Sequence, residues 1–596
     1  MAKVSRRIIV VIILLVIGVN VWYLSKRQSS FDPALSSEEA QSVPDTNKPP
    51  KFQSPQDSTL RTGTSPKVED SPKVEAESPK KDQTKGSGAS SGANSRPDSV
   101  HDSSPVSSEE KIGHEVQHTK EYDAGMASIK STLDKISEIQ PGVNPLKKFV
   151  RDIKSDTGLM ESNEFPPTTY ILSQYLRVSD ADVEKLKTSH AQMMDVLPDK
   201  VVSNAFAGRG IVMTGGGKYF PMILTALRWL REVDPTTPVE VYMKDKFEYE
   251  ANICDGLFPK LNAECRVIRD IYGESLSNKL DTEYALKPLA ILASKFDDIY
   301  FMDADSYPMN SVNKYFDWDE YKKTGLILNA DYWPRYISPF FYDIVGIKLG
   351  ARARGNHNSD ALLQSDRENA IPGKSTESGQ VFIRKSTHIK SLLLAMYYNL
   401  FGPDIYFTLL MQNGHGEGDK DTYAAAAIIC GESYYQTQRR PVTLGTRYGG
   451  QNFKGFAMVQ PDPMVDYERY EEGKDTTEKF FALHANSLKS NPKYLLQGYT
   501  EPIRGAPPLQ QGRFFGDMSN IRKEIIEDVD VEQRLFRIMS EVACEWAVKE
   551  NYVPRDWEDQ DPVRFCNILK KHVEWLKTHP DTAFPESARY WIDEVK

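Results

Sequence analysis

The sequence predicts an α/β fold, a mostly parallel sheet flanked by helices, held behind an amino-terminal membrane anchor and a disordered stem. Three observations carry this. Strand-like and helix-like segments alternate between Gly210 and Met302, the pattern of parallel strands joined by helical crossovers. Within that region the apolar strand Ile299–Met302 stops at two carboxylates, Asp303 and Asp305. Far upstream, an apolar run at Ile8–Leu24 precedes a long stretch rich in Ser and Pro.

The Ile8–Leu24 run has 17 residues, with Lys3, Arg6 and Arg7 before it and Lys26 and Arg27 after it. That is the short end of the roughly 17 to 25 residues that cross a bilayer as a helix. Trp22 and Tyr23 stand where an interfacial aromatic belt forms. A cleaved signal peptide would have a shorter apolar core and a small-residue cleavage site, which Leu24-Ser25-Lys26-Arg27 does not offer. We therefore expect a cytosolic tail at 1–7, a signal anchor at 8–24 and everything else on the far side, a type II arrangement in contact with the lipid bilayer through one helix. Residues 25–120 read as a stem: Phe31 and Phe52 are its only aromatics, too little apolar surface to offset chain entropy. Ser65-Pro66-Lys67-Val68-Glu69-Asp70 returns almost unchanged at Ser71-Pro72-Lys73-Val74-Glu75, a tandem spacer.

The remainder, 121–596, is expected to be the folded domain. With 39% hydrophobic residues and a net charge of −10, the chain is globular in the main and mildly acidic, and nothing is basic enough to favour nucleic acid. Met126, Ile129, Leu133, Ile136 and Ile139 follow the helical period until Pro141-Gly142. Gly210–Thr214 is the expected first strand, followed by Gly215-Gly216-Gly217 and a helix over Phe220–Arg231. Strands follow at Val239–Met243 and Arg266–Ile268, a helix at Leu286–Ser294, and then Ile299–Met302. A glycine-rich turn lets backbone N–H groups approach a phosphate or base, and a purely structural turn has the same composition.

Asp-x-Asp also occurs at Asp180/Asp182, Asp317/Asp319, Asp419/Asp421, Asp528/Asp530 and Asp559/Asp561, so the tripeptide alone means little. What sets Asp303/Asp305 apart is the apolar strand ahead of it. In open α/β sheets ligands collect outside the carboxyl ends of strands, and paired hard oxygen ligands there suit Mg²⁺ or Mn²⁺ carrying a diphosphate. Five cysteines suggest two bridges and one leftover. The most local of the pairings joins Cys254 to Cys265 and Cys544 to Cys566, leaving Cys430 as a buried free thiol.

Taken together, the anchor, the stem and the strand-terminal Asp-x-Asp resemble the layout of Golgi glycosyltransferases of the GT-A type, which have a Rossmann-type sheet. Gly210–Tyr219, Tyr284-Ala285-Leu286-Lys287-Pro288, Ile299–Asp305, Glu377-Ser378-Gly379-Gln380 and Gly418-Asp419-Lys420-Asp421-Thr422 resemble motifs of the fungal mannan α-mannosyltransferases. The likeness is greatest to the α-1,2 enzymes that start branches on the α-1,6-mannose backbone of N-glycan outer chains. The resemblance implies transfer of mannose from GDP-mannose with retention, to mannan N-glycans of secreted and cell-wall glycoproteins. It implies a single-pass Golgi membrane protein with a luminal catalytic domain, associating with other Golgi mannosyltransferases.

Residue by residue, the resemblance implies that Asp303 and Asp305 bind Mn²⁺ and the donor, with His484 as a third metal ligand. Gly215, Gly216 and Tyr219 line the nucleotide pocket, and Lys287 and Lys489 face the diphosphate. Glu377, Asp419 and Asp421 are the expected catalytic carboxylates. Asn329, Asp331, Tyr332, Trp333, Arg335 and Tyr336 fall in one expected loop, where Trp333 and Arg335 would meet the acceptor, unless the loop is an ordinary packed one. The alternatives are an α-1,3-mannosyltransferase of the same family and a catalytically silent Golgi scaffold that binds mannan.

Overall fold

The computed structural model describes residues 119–579 apart from 156–167, 199, 201, 203, 281–282, 352–361, 449–451, 478, 498–512 and 516–529. The expected anchor, and the expected stem up to residue 118, lie outside the described residues; its last two residues, Thr119 and Lys120, instead cap and open a helix. Among the described residues no helix is long and apolar enough to cross a membrane.

Seven strands form the main sheet: β1 Arg209–Thr214, β2 Val239–Met243, β3 Ala263–Val267, β4 Asp298–Met302, β6 Leu326–Pro334, β7 Lys374–Arg384 and β8 Tyr435–Gln436, in the order β3-β2-β1-β4-β7-β6-β8. The pairs β3/β2, β2/β1 and β1/β4 are parallel, as the alternation of strands and helices predicts. The longest strand, β7, runs antiparallel to both β4 and β6. The third strand was expected at Arg266–Ile268. It is instead Ala263–Val267, because pairing of Val239 through Met243 with Ala263 through Val267 sets its bounds, and Ile268 opens a helix.

Both faces of this sheet are covered, which is why its strands read as nearly unbroken apolar runs. Side chains alternate between the faces. Val212, Ile299, Phe301, Val381 and Ile383 join the core beneath the helices Lys120–Glu138, Leu286–Ala293, Lys385–Leu400 and Lys420–Cys430. Ile211, Met213, Tyr300, Met302 and Phe382 point the other way, toward the helix Phe220–Val233.

On that second face lies a smaller antiparallel sheet, β5 Ser306–Pro308, β9 Val442–Tyr448, β10 Asn452–Pro461 and β11 Phe480–His484, in the order β5-β11-β10-β9. The chain leaves β4 and enters β5 within four residues, so the Asp303-Ala304-Asp305 corner is where the two sheets meet. Phe481 of β11 packs among Tyr300, Tyr315 and Phe382, with ring centroids 4.8–5.5 Å away. The carboxyl-terminal helix Val531–Glu541 continues into Val542–Lys549, which the Cys544–Cys566 disulfide ties to the helix Pro562–Thr578. Glu232 binds the first of these helices through Arg534 and Arg537. Cys254–Cys265 is the second disulfide. Cys430 is unbridged and half-buried rather than buried, and burial pushes its thiol up to about 12.

Candidate active site

Asp303 leaves β4 with its N–H donated to the Gly379 carbonyl of the neighbouring strand β7 (2.9 Å), and Ala485, just past β11, donates its N–H to the Asp305 carbonyl (2.9 Å). Three strands from two sheets thus fix one corner. Into it β4, its following turn and β11 deliver Asp303, Asp305 and His484, each offering a ligand atom within 4.8 Å of the others. His484 Nε2 is 3.2 Å from Asp305 Oδ1. Its buried Nδ1 lies 3.4 Å from Glu377 Oε2 and has no aligned hydrogen bond.

The second observation bearing on a metal is Gly379. A Cβ built there would lie 3.0 Å from His484 Cε1 and 3.2 Å from both Asp303 Oδ2 and Glu377 Oε1. Two hard carboxylates, an imidazole and a glycine that keeps the space between them clear form a set that fits a small divalent cation.

Cations surround these acids. Lys287, on the Leu286–Ala293 helix, donates to Asp303 Oδ2 (2.9 Å) and to Ser378 Oγ (3.2 Å), and stands 3.4 Å from Asp419 Oδ2. Lys489 pairs with Asp305 Oδ2. Burial opposes charge on Asp305, but Lys489 and His484 outweigh it and hold the carboxyl well below its ordinary range. Asp303 differs: burial dominates, Lys287 offsets only part of it, and the neighbouring Asp305 charge adds to the upward shift. The His484 imidazole is disfavoured as a cation by burial, yet Glu377 and Asp305 outweigh that and raise it well above its usual value.

The three expected catalytic carboxylates take other positions. Glu377 Oε1 accepts the N–H groups of Ser378 (3.0 Å) and Gly379 (2.8 Å), leaving Oε2 against His484. Asp419 accepts Ser378 Oγ–H (3.0 Å) beside Lys287. Asp421 is fully buried, with Arg335 Nε at 2.6 Å and Ser375 Oγ at 2.9 Å. Arg335 also donates to Pro372 O (2.8 Å), so it is a buried tie between elements and not an open acceptor contact.

The stretch holding Asn329 to Tyr336 is for the most part strand β6, not a loop. Asn329 and Ala330 pair with Glu377 and Thr376 after a register shift at Leu328/Asn329. Its polar residues read as loop in the sequence because their partners are distant: Thr437 Oγ1 accepts the Ala330 N–H (2.8 Å), and Lys420 pairs with Asp331. Trp333 remains half-exposed and stacks on His415 at 4.5 Å, with exposed Tyr332 edge-on at 5.0 Å. Of the two expected acceptor residues, only Trp333 is partly exposed, whereas Arg335 is buried.

At the carboxyl end of β1 the glycine turn is built tightly. Gly215 has φ +135° and Gly217 φ +50°, and a Cβ on Gly216 would lie 2.9 Å from Glu248 Cβ. Structural need alone accounts for all three glycines. Tyr219 follows, its hydroxyl donating to Glu283 Oε2 (2.5 Å).

Sequence reading placed Ser378, Gly379 and Lys420 in motifs and Asp331 in the expected acceptor loop, but gave the first three no role of their own and did not pair Asp331 with Lys420. For Gly379 a signal existed, since a glycine inside an apolar strand pattern marks close approach of another group. For the pairing of Asp331 with Lys420, 89 residues apart, no local signal existed.

The Mannosyl_trans3 family, described as a mannosyltransferase, matches residues 208–462. "Alpha-1,2-mannosyltransferase MNN22" of Candida albicans is 30% identical over 498 residues, covering 71% of this chain and 83% of the relative. "Alpha-1,2-mannosyltransferase MNN5" of Saccharomyces cerevisiae is 33% identical over 478 residues, covering 69% and 81%. For MNN21 of C. albicans the figures are 32% over 413 residues, 61% and 62%, less than two thirds of that protein's length. Among solved structures, the glycosyltransferase GlyE of Streptococcus pneumoniae matches with a TM-score of 0.24 and 12% identity, over 39% of this chain and 45% of that one.

Proposed function

Since the chain belongs to the family of fungal α-1,2-mannosyltransferases, we propose that it transfers mannose from GDP-mannose, with retention and in α-1,2 linkage, to the α-1,6-mannose backbone of N-glycan mannan. The observation that carries this reading is the convergence of Asp303, Asp305 and His484 at the end of β4. Mn²⁺ held by these three would supply electrophilic neutralisation of the donor diphosphate. The mixed sheet, ending in this acidic corner, supports a GT-A-type arrangement. Ile8–Leu24 and the stem support a type II protein of the Golgi membrane with its catalytic domain luminal. Acceptor glycoproteins and other mannosyltransferases of that compartment are the partners this reading entails.

The chain's own residues have distinct tasks. Lys489 and Lys287, beside Asp305 and Asp303, offset the charge that develops on departing GDP, the kind of preorganised electrostatic term that usually dominates catalysis. Glu377, itself held by two backbone N–H groups, sets its charge 3.4 Å from His484 Nδ1 and so favours the ring orientation that turns Nε2 to the metal position. It is a positioning residue. Asp419 does the same for Lys287. Trp333, partly exposed and stacked on His415, offers an aromatic edge at which a mannose ring can pack. Because Glu377, Asp419 and Asp421 are buried and already hydrogen-bonded, none is placed as a nucleophile. Retention then proceeds on one face: the C1–O bond to the β-phosphate breaks, the acceptor O2–C1 bond forms on that side, and the acceptor proton goes to the leaving phosphate oxygen.

The test is transfer by the full-length protein in detergent, with GDP-mannose, Mn²⁺ and an α-1,6-linked mannose oligomer, the product linkage read by NMR. An α-1,2 product that vanishes in Asp305→Asn and with chelator is expected. An α-1,3 product would correct the linkage alone, and no transfer by folded protein from any nucleotide-mannose would overturn the reading in favour of a silent scaffold.

A further inference from the structure

Beside the glycine turn lies a cavity of about 380 Å³ lined by Gly217, Lys218, Lys493, Arg555, Asp556, Glu558 and Asp559. One wall is the carboxyl end of β1. The other comes from the carboxyl-terminal region, beyond the 208–462 family match.

This second wall is anchored at several points. Arg555 donates from its guanidinium to the carbonyls of Phe247 (2.7 Å) and Tyr249 (2.9 Å), and its N–H goes to Glu250 Oε2 (2.8 Å). Those acceptors belong to the connection after β2 that is packed on Gly216. The wall is also joined to the metal corner. The segment that starts at His484 and carries Lys489 continues to Asn491, which donates to Asp556 Oδ2 (2.8 Å) and accepts from buried Trp557 Nε1 (3.0 Å). Two residues on, Lys493 donates to Asp556 O (2.7 Å) and Asp559 Oδ1 (3.0 Å). One short stretch of chain therefore runs from the residues that would hold the diphosphate to the floor of this cavity.

Its three carboxylates are not equivalent. Asp556 and Asp559 are taken by Asn491 and Lys493. Glu558 is exposed, and its carboxylate has no hydrogen-bond or ion-pair partner among the described residues. An ionised carboxylate only accepts, so its best partner is a pair of adjacent N–H donors. Guanine presents such a pair at N1 and N2, and has O6 and N7 as acceptors for a nearby ammonium such as Lys218. Adenine has no N1–H, and uracil presents a single ring N–H.

We infer that this cavity is the nucleobase end of the donor site, in which Glu558 reads guanine. The inference rests on the GDP-mannose reading and goes beyond it by assigning base recognition to the carboxyl-terminal region.

Competition binding of GDP, IDP, ADP and UDP to the full-length protein in detergent tests it, with no turnover required. IDP lacks only the N2 amino group. Wild type is expected to bind GDP at least tenfold tighter than IDP and more so than ADP or UDP, since a site built around a hydrogen-bonding group rejects the analogue without it. In Glu558→Ala, GDP binding should fall by about tenfold or more and approach that of IDP, whereas Asp559→Ala should keep the wild-type GDP/IDP ratio. An unchanged GDP/IDP ratio in Glu558→Ala, with wild type still preferring GDP, overturns the inference and leaves the donor reading standing. A wild-type protein that binds ADP or UDP as tightly as GDP, or none of the four, overturns the donor reading and this inference with it.

Discussion

Gly379→Ala is the sharpest probe of the candidate metal corner. Gly379 sits in β7 with ordinary extended backbone, so alanine meets no conformational penalty there and even gains about 0.4–1 kcal/mol by restricting the unfolded chain. The new methyl group, however, would stand 3.0 Å from His484 Cε1 and 3.2 Å from Asp303 Oδ2 and Glu377 Oε1. Contacts between carbon atoms are optimal at about 3.5–4.0 Å, so the imidazole and the carboxylates must retreat by several tenths of an ångström. The backbone has little room to follow, because Gly379 O holds the Asp303 N–H at 2.9 Å and Gly379 N–H holds Glu377 at 2.8 Å. Overpacking of this kind costs about 1–3 kcal/mol, which the chain-entropy gain partly cancels. Metal affinity has no such compensation: loss of ligand orientation typically weakens it by about 10–100-fold. Mn²⁺ titration by calorimetry, paired with thermal unfolding, separates the two effects. Expected is a Tm close to wild type with Mn²⁺ binding weakened by about tenfold or more. Unchanged affinity in the folded variant would refute the placement of the ion between Asp303, Asp305 and His484.

Four further outcomes follow from the structure. Glu377→Gln keeps the size of the side chain and removes its charge, so Mn²⁺ binding should weaken by about tenfold while the acceptor KM holds. A raised KM with intact metal binding would mean that Glu377 meets substrate instead. Arg335→Ala strands Asp421 in a fully buried position and should cost about 3–5 kcal/mol of stability, whereas Trp333→Ala should raise the acceptor KM with little change in Tm. Acid should destabilise the domain through His190, whose Nε2 meets Tyr398 Oη at 2.8 Å and whose burial lowers its pKa from 6.5 to about 4. The unfolded chain takes up this proton first, so the stability present above pH 6.5 falls as pH drops toward 4, by about 3 kcal/mol in all. In His190→Gln the difference in Tm between pH 7 and pH 5 should shrink, and an undiminished difference would place the acid sensitivity elsewhere, with buried His572 the next candidate.

Much of the frame was legible without coordinates, and for a local reason. A strand buried on both faces must be apolar throughout, and it must end where the carboxylates begin, so Ile299–Met302 and Asp303/Asp305 declare themselves within seven residues. The same logic locates β1, β2 and β11 and puts His484 at a strand end. Cysteine spacing anticipated both disulfides.

What local pattern cannot carry is the partner of a polar side chain. Glu377, Asp419, Asp421 and Arg335 are the residue types that touch sugars, and they are equally the types that tie a buried corner together. Only the tertiary structure decides between the two, by bringing Arg335 to Asp421 across 86 residues and Lys287 to Ser378 across 91. It also turns an aromatic, polar stretch into β6, because its backbone pairs with β7, the Ala330 N–H with Thr437 and the Asp331 carboxylate with Lys420. Chain-local forces specify where strands stop and acids start, whereas which acids remain free for chemistry is settled by long-range pairing of charges whose burial would otherwise be prohibitive.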